Sequence, residues 1–347
     1  MVQEDAHARK LKEILKNASE RPLTYEEAKF LFRLPTEDLE IIQKTAFNIR
    51  LQHFGRVLRA YFPGKRFPSI SLTGSECSLS CAHCDKHYLE HMLDGSSPKK
   101  LLEICYELER NGAIGCLLSG GLDENAAVPF EKFLDAIAEI KKETNLVLNA
   151  HTGLLSRSIA EKLGKIGVDI ASVDVIGDER TIKEVYGLDK APEDYFNNLM
   201  MLKQSGISYI APHVCLGVHY GKIVGELNAL EMARQINPDE IVIIGLIPTR
   251  ETLMEHTPAP SPETFAQIVA IARLMFPKIP LSVGCMRPKG RLRIEIDKQV
   301  IKSGADRMEL PTKSALRELT ELNLEIKKIE ACCTIPEWLE HQMLSSN

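Results

Sequence analysis

No stretch of the 347-residue sequence reaches the roughly 18 uninterrupted apolar residues of a membrane span, and Met1 to Lys16 is charged, without the apolar core of a secretory leader. A cytoplasmic location and no membrane partner are therefore expected. Excess charge of one sign is also lacking, because 43 Lys and Arg against 48 Asp and Glu leave a formal net charge of -5. Such a balance gives no general attraction for phosphate backbones, so no nucleic-acid partner is expected. Aromatic residues are sparse, at 6% with one Trp, yet 44% of the residues are apolar and 26% charged. That is the profile of a globular protein with one large core, and it excludes a disordered chain or a peptide hormone.

No low-complexity linker divides the chain. Residues 1–65 read as a helical extension: Leu11, Ile14 and Leu15 form an apolar stripe, and Thr24 with Glu27 has capping-box spacing ahead of Ala28, Phe30 and Leu31. From Phe67 onward, short apolar runs alternate with amphipathic stretches. The runs are Ser69 to Leu72, Gly115 to Leu118, Leu146 to Asn149, Ile170 to Val175, Tyr209 to His213, Ile241 to Leu246, Leu281 to Val283 and Arg307 to Leu310. Eight strands, each followed by a helix, predict an α/β fold, a (β/α)8 TIM-type barrel over residues 66–323, with a doubly wound sheet as the alternative. Residues 324–347 are then a C-terminal tail.

A barrel gathers its chemistry on the loops that follow the strands. Here those loops carry Cys77, Cys81 and Cys84, then Ser119-Gly120-Gly121, Asn149 and His151, Asp174 and Asp178, His213, Thr249, and Cys285 with Arg287. The nine cysteines of a cytoplasmic chain are expected to be thiols or metal ligands rather than disulfides. Cys77-Ser-Leu-Ser-Cys81-Ala-His-Cys84 places three thiols within one loop. Three cysteines on a four-iron cube leave one iron open to an outside ligand, whereas a structural zinc site would enlist His83 as a fourth. Cys105 and Cys116 read as core filler, and Cys215 is open between core and site.

The cysteine spacing resembles that of the radical S-adenosylmethionine (SAM) superfamily. The resemblance implies a [4Fe-4S] cluster on Cys77, Cys81 and Cys84. Its open iron would be chelated by the amino and carboxylate groups of SAM, and reduction would cleave SAM to methionine and a 5'-deoxyadenosyl radical. The residue before the third cysteine, often aromatic in that superfamily, is His83 here. Ser119-Gly120-Gly121 looks like the motif that holds the SAM amino group, and Gly217-Val218-His219-Tyr220-Gly221 resembles the adenine-contacting region. Asn149, His151, Asp174 and His213, at strand ends, complete the expected SAM surroundings.

Leu23-Thr24-Tyr25-Glu26-Glu27-Ala28 and the barrel pattern are similar to the biotin synthase group. Ala150-His151-Thr152-Gly153, Pro212-His213, Gly284-Cys285-Met286-Arg287-Pro288 and Cys332-Cys333 resemble the two-protein type of lipoyl synthase. That resemblance implies an octanoylated lipoyl carrier protein as substrate, a second biotin-synthase-like radical SAM protein as partner, and an electron donor such as ferredoxin. Replacing H by S at an unactivated carbon needs a sulfur source, which a second iron–sulfur cluster could supply. Cys285, Cys332 and Cys333 are its expected ligands, on a tail able to fold back over the barrel opening. The alternatives are a one-cluster radical SAM isomerase or lyase, a biotin-synthase-like enzyme on a small molecule, and a zinc-binding structural protein.

Overall fold

The computed structural model describes residues 2–340. Three helices, α1 (Val2–Ala18), α2 (Tyr25–Phe32) and α3 (Leu39–Phe54), precede the sheet. Thr24 and Glu27 close the expected capping box on α2. Among the described residues eleven strands form one sheet: β1 (Val57–Tyr61), β2 (Ser69–Ser71), β3 (Leu93–Asp94), β4 (Gly115–Ser119), β5 (Val147–His151), β6 (Ile170–Asp174), β7 (Tyr209–Leu216), β8 (Ile241–Gly245), β9 (Leu281–Val283), β10 (Arg307–Glu309) and β11 (Glu325–Ile329). All pairings are parallel. The order is β11-β1-β10-β9-β8-β7-β6-β5-β4-β2-β3, so the eight expected strands lie side by side in chain order in a curled half-barrel.

Burial on both faces explains why these strands read as continuous apolar runs. In β5, Leu148 and Ala150 face the outer helices, and in β8 Ile241 and Ile243 do the same. The helices between begin where the sequence supplies caps: Ser97 ahead of Pro98, Ser156, Asp178, Ser261 ahead of Pro262, and Thr312 each accept a first-turn amide. The helical preface packs on this outer layer, with α3 lying along helix Pro262–Met275 and Gln267 Nε2 donating to the carbonyls of Leu31 and Phe32.

Three strands lie outside the eight expected, and the ladder stays open, with β11 and β3 at its edges. Val57–Tyr61, read as part of the helical segment, pairs with both β10 and β11. Its alternation is masked because Arg59 faces inward and pairs with the Glu340 carboxylate at 2.7 Å. In β11 the first four residues are exposed, and Lys327 and Lys328 protect an edge rather than announce a strand.

The expectation that the tail covers the barrel opening is corrected. Residues 330–340 run beneath the barrel instead. Ala331, Cys333, Ile335 and Leu339 pack against Val147, Ile170 and Tyr209, which open β5, β6 and β7, and against Val242 of β8. Apolar residues at the strand starts need a cover, and this segment provides it. Arg307, fully buried, fixes it by donating to the carbonyls of Cys333 and Ile335, and pairs with Glu240 at 3.1 Å and Glu340 at 2.9 Å. Among the described residues no helix is long and apolar enough to cross a membrane.

Candidate active site

The loop after β2 is locked onto the loop after β4. Gly121 N–H donates to Thr73 Oγ1 at 2.7 Å, Ser78 N–H to the Leu122 carbonyl at 2.8 Å, and Leu122 N–H to Cys77 Sγ at 3.3 Å. A Cβ on Gly121 would lie 2.0 Å from the Glu76 carbonyl oxygen and 2.6 Å from Cys77 Cα, so only glycine permits this approach. The sequence Gly-Gly thus serves the cysteine loop directly.

Further along, Cys81 and Cys84 turn toward each other, and their sulfurs lie within 4.8 Å of one another and of a ring nitrogen of His83. Their shared hydrogen bond, followed by burial, pushes the Cys81 thiol up; the same bond, opposed by burial, holds Cys84 below the usual thiol range. His83 stacks obliquely on Tyr186, with ring centroids 5.1 Å apart. Its Nδ1 is buried without a partner, and burial lowers its pKa to about 4.

Cys77, Cys81 and Cys84 share one cavity of about 240 Å³ with Ser119, Gly120 and Gly121. Across from them stand His151 and Asp174, whose Nε2 and Oδ2 are 3.8 Å apart, and an apolar wall that includes Met92, Val128, Leu154 and Ile176. No fourth cysteine lines this cavity. The residues therefore fit a cluster that keeps one iron open, and the Asp174 Oδ1, buried and unpartnered, faces the same space. Tyr88 and Thr249, joined at 3.1 Å, link the loops after β2 and β8 over the mouth.

Several residues expected around SAM are placed elsewhere. Asn149 does not line the cavity; its buried Nδ2 donates to Thr334 Oγ1 at 2.8 Å. His213 lies behind His151, with ring centroids 5.4 Å apart, and its Nδ1 contacts the Ala211 carbonyl at 2.9 Å. Gly217 donates its N–H to Glu226 Oε1 at 2.7 Å and abuts Pro260, while Val218 lines a small adjoining compartment with Cys215, Asp178 and Glu226. Asp178 caps helix Glu179–Tyr186. Arg287 is consumed by its ion pair with Asp297 at 3.0 Å. His219 bonds Thr181 at 3.2 Å. Sequence reasoning missed Glu226, whose carboxylate gathers the amides of Gly217 and Val224 and whose pKa burial raises to about 6. A glutamate opening a helix just after a glycine-rich loop is the signal that could have found it.

The remaining cysteines lie in the core or beside Glu309, apart from Cys215. Cys105 and Cys116 are fully buried core. Cys332 and Cys333 come together with Glu309 of β10, one ligand atom from each lying within 4.8 Å of the others. Cys285 is exposed and its thiol hydrogen-bonds the same carboxyl.

Residues 71–226 match the radical SAM superfamily model. That match spans β2 to the start of the helix after β7, and the curated relatives that the chain resembles are biotin synthases. The chain is 25% identical to the biotin synthase of Thermus thermophilus over 281 residues, covering 78% of this chain and 82% of that protein. It is 24% identical to the biotin synthase of Bacillus velezensis, covering 74% of each. Its fold matches that of HydG, a maturase of the [FeFe]-hydrogenase, with a TM-score of 0.69 and 19% identity over 92% of this chain and 75% of that one. Methylornithine synthase matches with a TM-score of 0.66 and 18% identity, over 90% of this chain and 97% of that one. The matched superfamily implies a [4Fe-4S] cluster and SAM, and Cys77, Cys81 and Cys84, which share one cavity, are the residues that would hold the cluster here.

Proposed function

We propose that this radical SAM enzyme inserts sulfur and is one component of a two-protein lipoyl synthase acting on a protein-bound octanoyl chain. The observation that carries this reading is the presence of two separate thiol groups in one barrel: Cys77, Cys81 and Cys84 on the mouth cavity, and Cys332 and Cys333 with Cys285 around Glu309. A SAM-binding cluster at the first supplies an oxidant for an unactivated C–H bond, and a second iron–sulfur cluster supplies the sulfur. The chain's own residues do the positioning. The Thr73–Gly121 contact fixes the cysteine loop, and Ser119-Gly120-Gly121 borders the cavity, where the main chain around Gly120 would meet an amino acid moiety. His151 and Asp174 supply the polar side, while Leu89, Met92, Leu122, Val128 and Leu154 make an apolar wall suited to an alkyl chain.

Lipoyl carries two sulfurs, so a second related protein is the simplest source of the other, and an electron donor such as ferredoxin must reach the mouth. The test incubates this protein, a reductant, SAM and an octanoylated carrier peptide, with and without the second protein. Mass spectrometry should show addition of one sulfur and then two. Consumption of dethiobiotin or another small molecule, with the peptide mass unchanged in every combination, overturns the assignment.

A further inference from the structure

Six carboxylates are buried among the described residues: Glu226, Glu240, Asp297, Asp306, Glu309 and Glu340. Four of them face a guanidinium. Glu240 pairs with Arg307, Asp297 with Arg287 and Arg293, Asp306 with Arg273, and Glu340 with Arg59 and Arg307. Glu226 instead holds two backbone amides. The Glu309 carboxyl differs from all five, because its neighbours are thiols. Its Oε2 accepts the Cys333 N–H at 3.3 Å and meets the Cys332 thiol at 3.9 Å, and the Cys285 thiol is a further neighbour. Arg287 and Arg293, the nearest cations, spend their guanidinium groups on the Glu309 main-chain carbonyl, at 2.8 and 3.3 Å. They hold the backbone and leave the carboxyl directed at the sulfurs.

Three groups that become anionic as ligands, gathered beside a buried carboxylate that makes no direct ion pair among the described residues, form a site whose charge a metal would balance. We infer that Glu309 is the fourth ligand of the second metal centre, an oxygen donor completing Cys285, Cys332 and Cys333. This rests on the proposed second centre and adds the residue that sets its character. Thiolates select iron–sulfur clusters or zinc, and a carboxylate is the harder, more weakly held donor for iron. The Glu309 corner is therefore the one that opens. The bland alternative is a neutral carboxylic acid hydrogen-bonded to thiols, which glutamine would imitate.

The experiment separates the two centres by placing Glu309 variants in a Cys77→Ala, Cys81→Ala, Cys84→Ala background, so that retained iron belongs to the second centre. Anaerobically purified protein is assayed for iron and sulfide, for the rate of iron loss to a chelator and by Mössbauer spectroscopy, with circular dichroism as the control for folding. Glu309→Gln should lose iron at least about tenfold faster, and Glu309→Cys should retain it with altered isomer shifts. Wild-type iron content, loss rate and spectrum in a folded Glu309→Gln protein would overturn the ligand role and leave the second centre standing. A background protein with no iron and no zinc would remove both. Zinc bound in place of iron, and lost in Glu309→Gln, would keep the ligand set and remove the sulfur-source reading.

Discussion

Asn149 Nδ2 donates to Thr334 Oγ1 at 2.8 Å, and the same hydroxyl lies 3.2 Å from Cys332 Sγ. Through this contact β5 adds to the hold of Arg307 on the segment that carries two of the proposed ligands. Asn149 has no other side-chain partner, since its Oδ1 is buried and unsatisfied. Thr334→Val keeps the side-chain volume and removes the hydroxyl, leaving a buried amide donor unpaired. A loss of about 1–3 kcal/mol in urea unfolding is expected. An unchanged midpoint would show that the contact does not hold the segment.

Gly121→Ala should release the cysteine loop. The added carbon meets backbone on the Glu76 and Cys77 side, where nothing can swing away. Overpacking of this kind costs about 1–3 kcal/mol, and the displaced Cys77 should lower iron bound at the mouth centre. Iron analysis and thermal unfolding together check it, and a variant with full iron content would contradict the tight-approach argument.

Arg307→Met should be among the most damaging single changes. It strips Glu240 of its cation, leaves Glu340 with Arg59 alone, and leaves the carbonyls of Cys333 and Ile335 without a donor. Removal of one partner from a buried ion pair costs about 3–5 kcal/mol. Limited proteolysis should cut first within 330–340, a segment protected in the wild type.

Burial, reinforced by the neighbouring His151 and opposed by Asp174, lowers the His213 pKa to about 4. Because the folded state favours the neutral ring, its contribution is intact above the unfolded value of about 6.5 and is lost as pH falls toward 4. Between pH 7 and pH 5 the wild type should lose up to about 2 kcal/mol more stability than His213→Gln. Parallel unfolding curves for the two proteins would place the ring in water.

The interior strands were legible because parallel strands buried on both faces become apolar runs, as in Ile241–Gly245. The first thiol group was legible through its spacing alone. Glu309 was not, because its partners lie 23 and 24 residues downstream and only the fold of the tail unites them. The alternation Arg307-Met308-Glu309 was the available signal, since two charges on the inner face of a short strand imply partners inside the barrel. Likewise β1 escaped notice because Arg59 breaks its apolar pattern, and the position of residues 330–340 had no periodicity to reveal it.

Asn149 and Thr334 are 185 residues apart. During synthesis the inner faces of Val147, Ile170, Tyr209 and Val242 emerge long before the residues that cover them, so the nascent wall stands with an uncovered apolar underside. Completion of the fold waits for this distant pairing and for the still longer Tyr61–Glu340 contact, which makes it a late and slow event. Loading of the proposed second centre would follow it, whereas the cysteines of the mouth loop need only β2 and β4 with their loops in place.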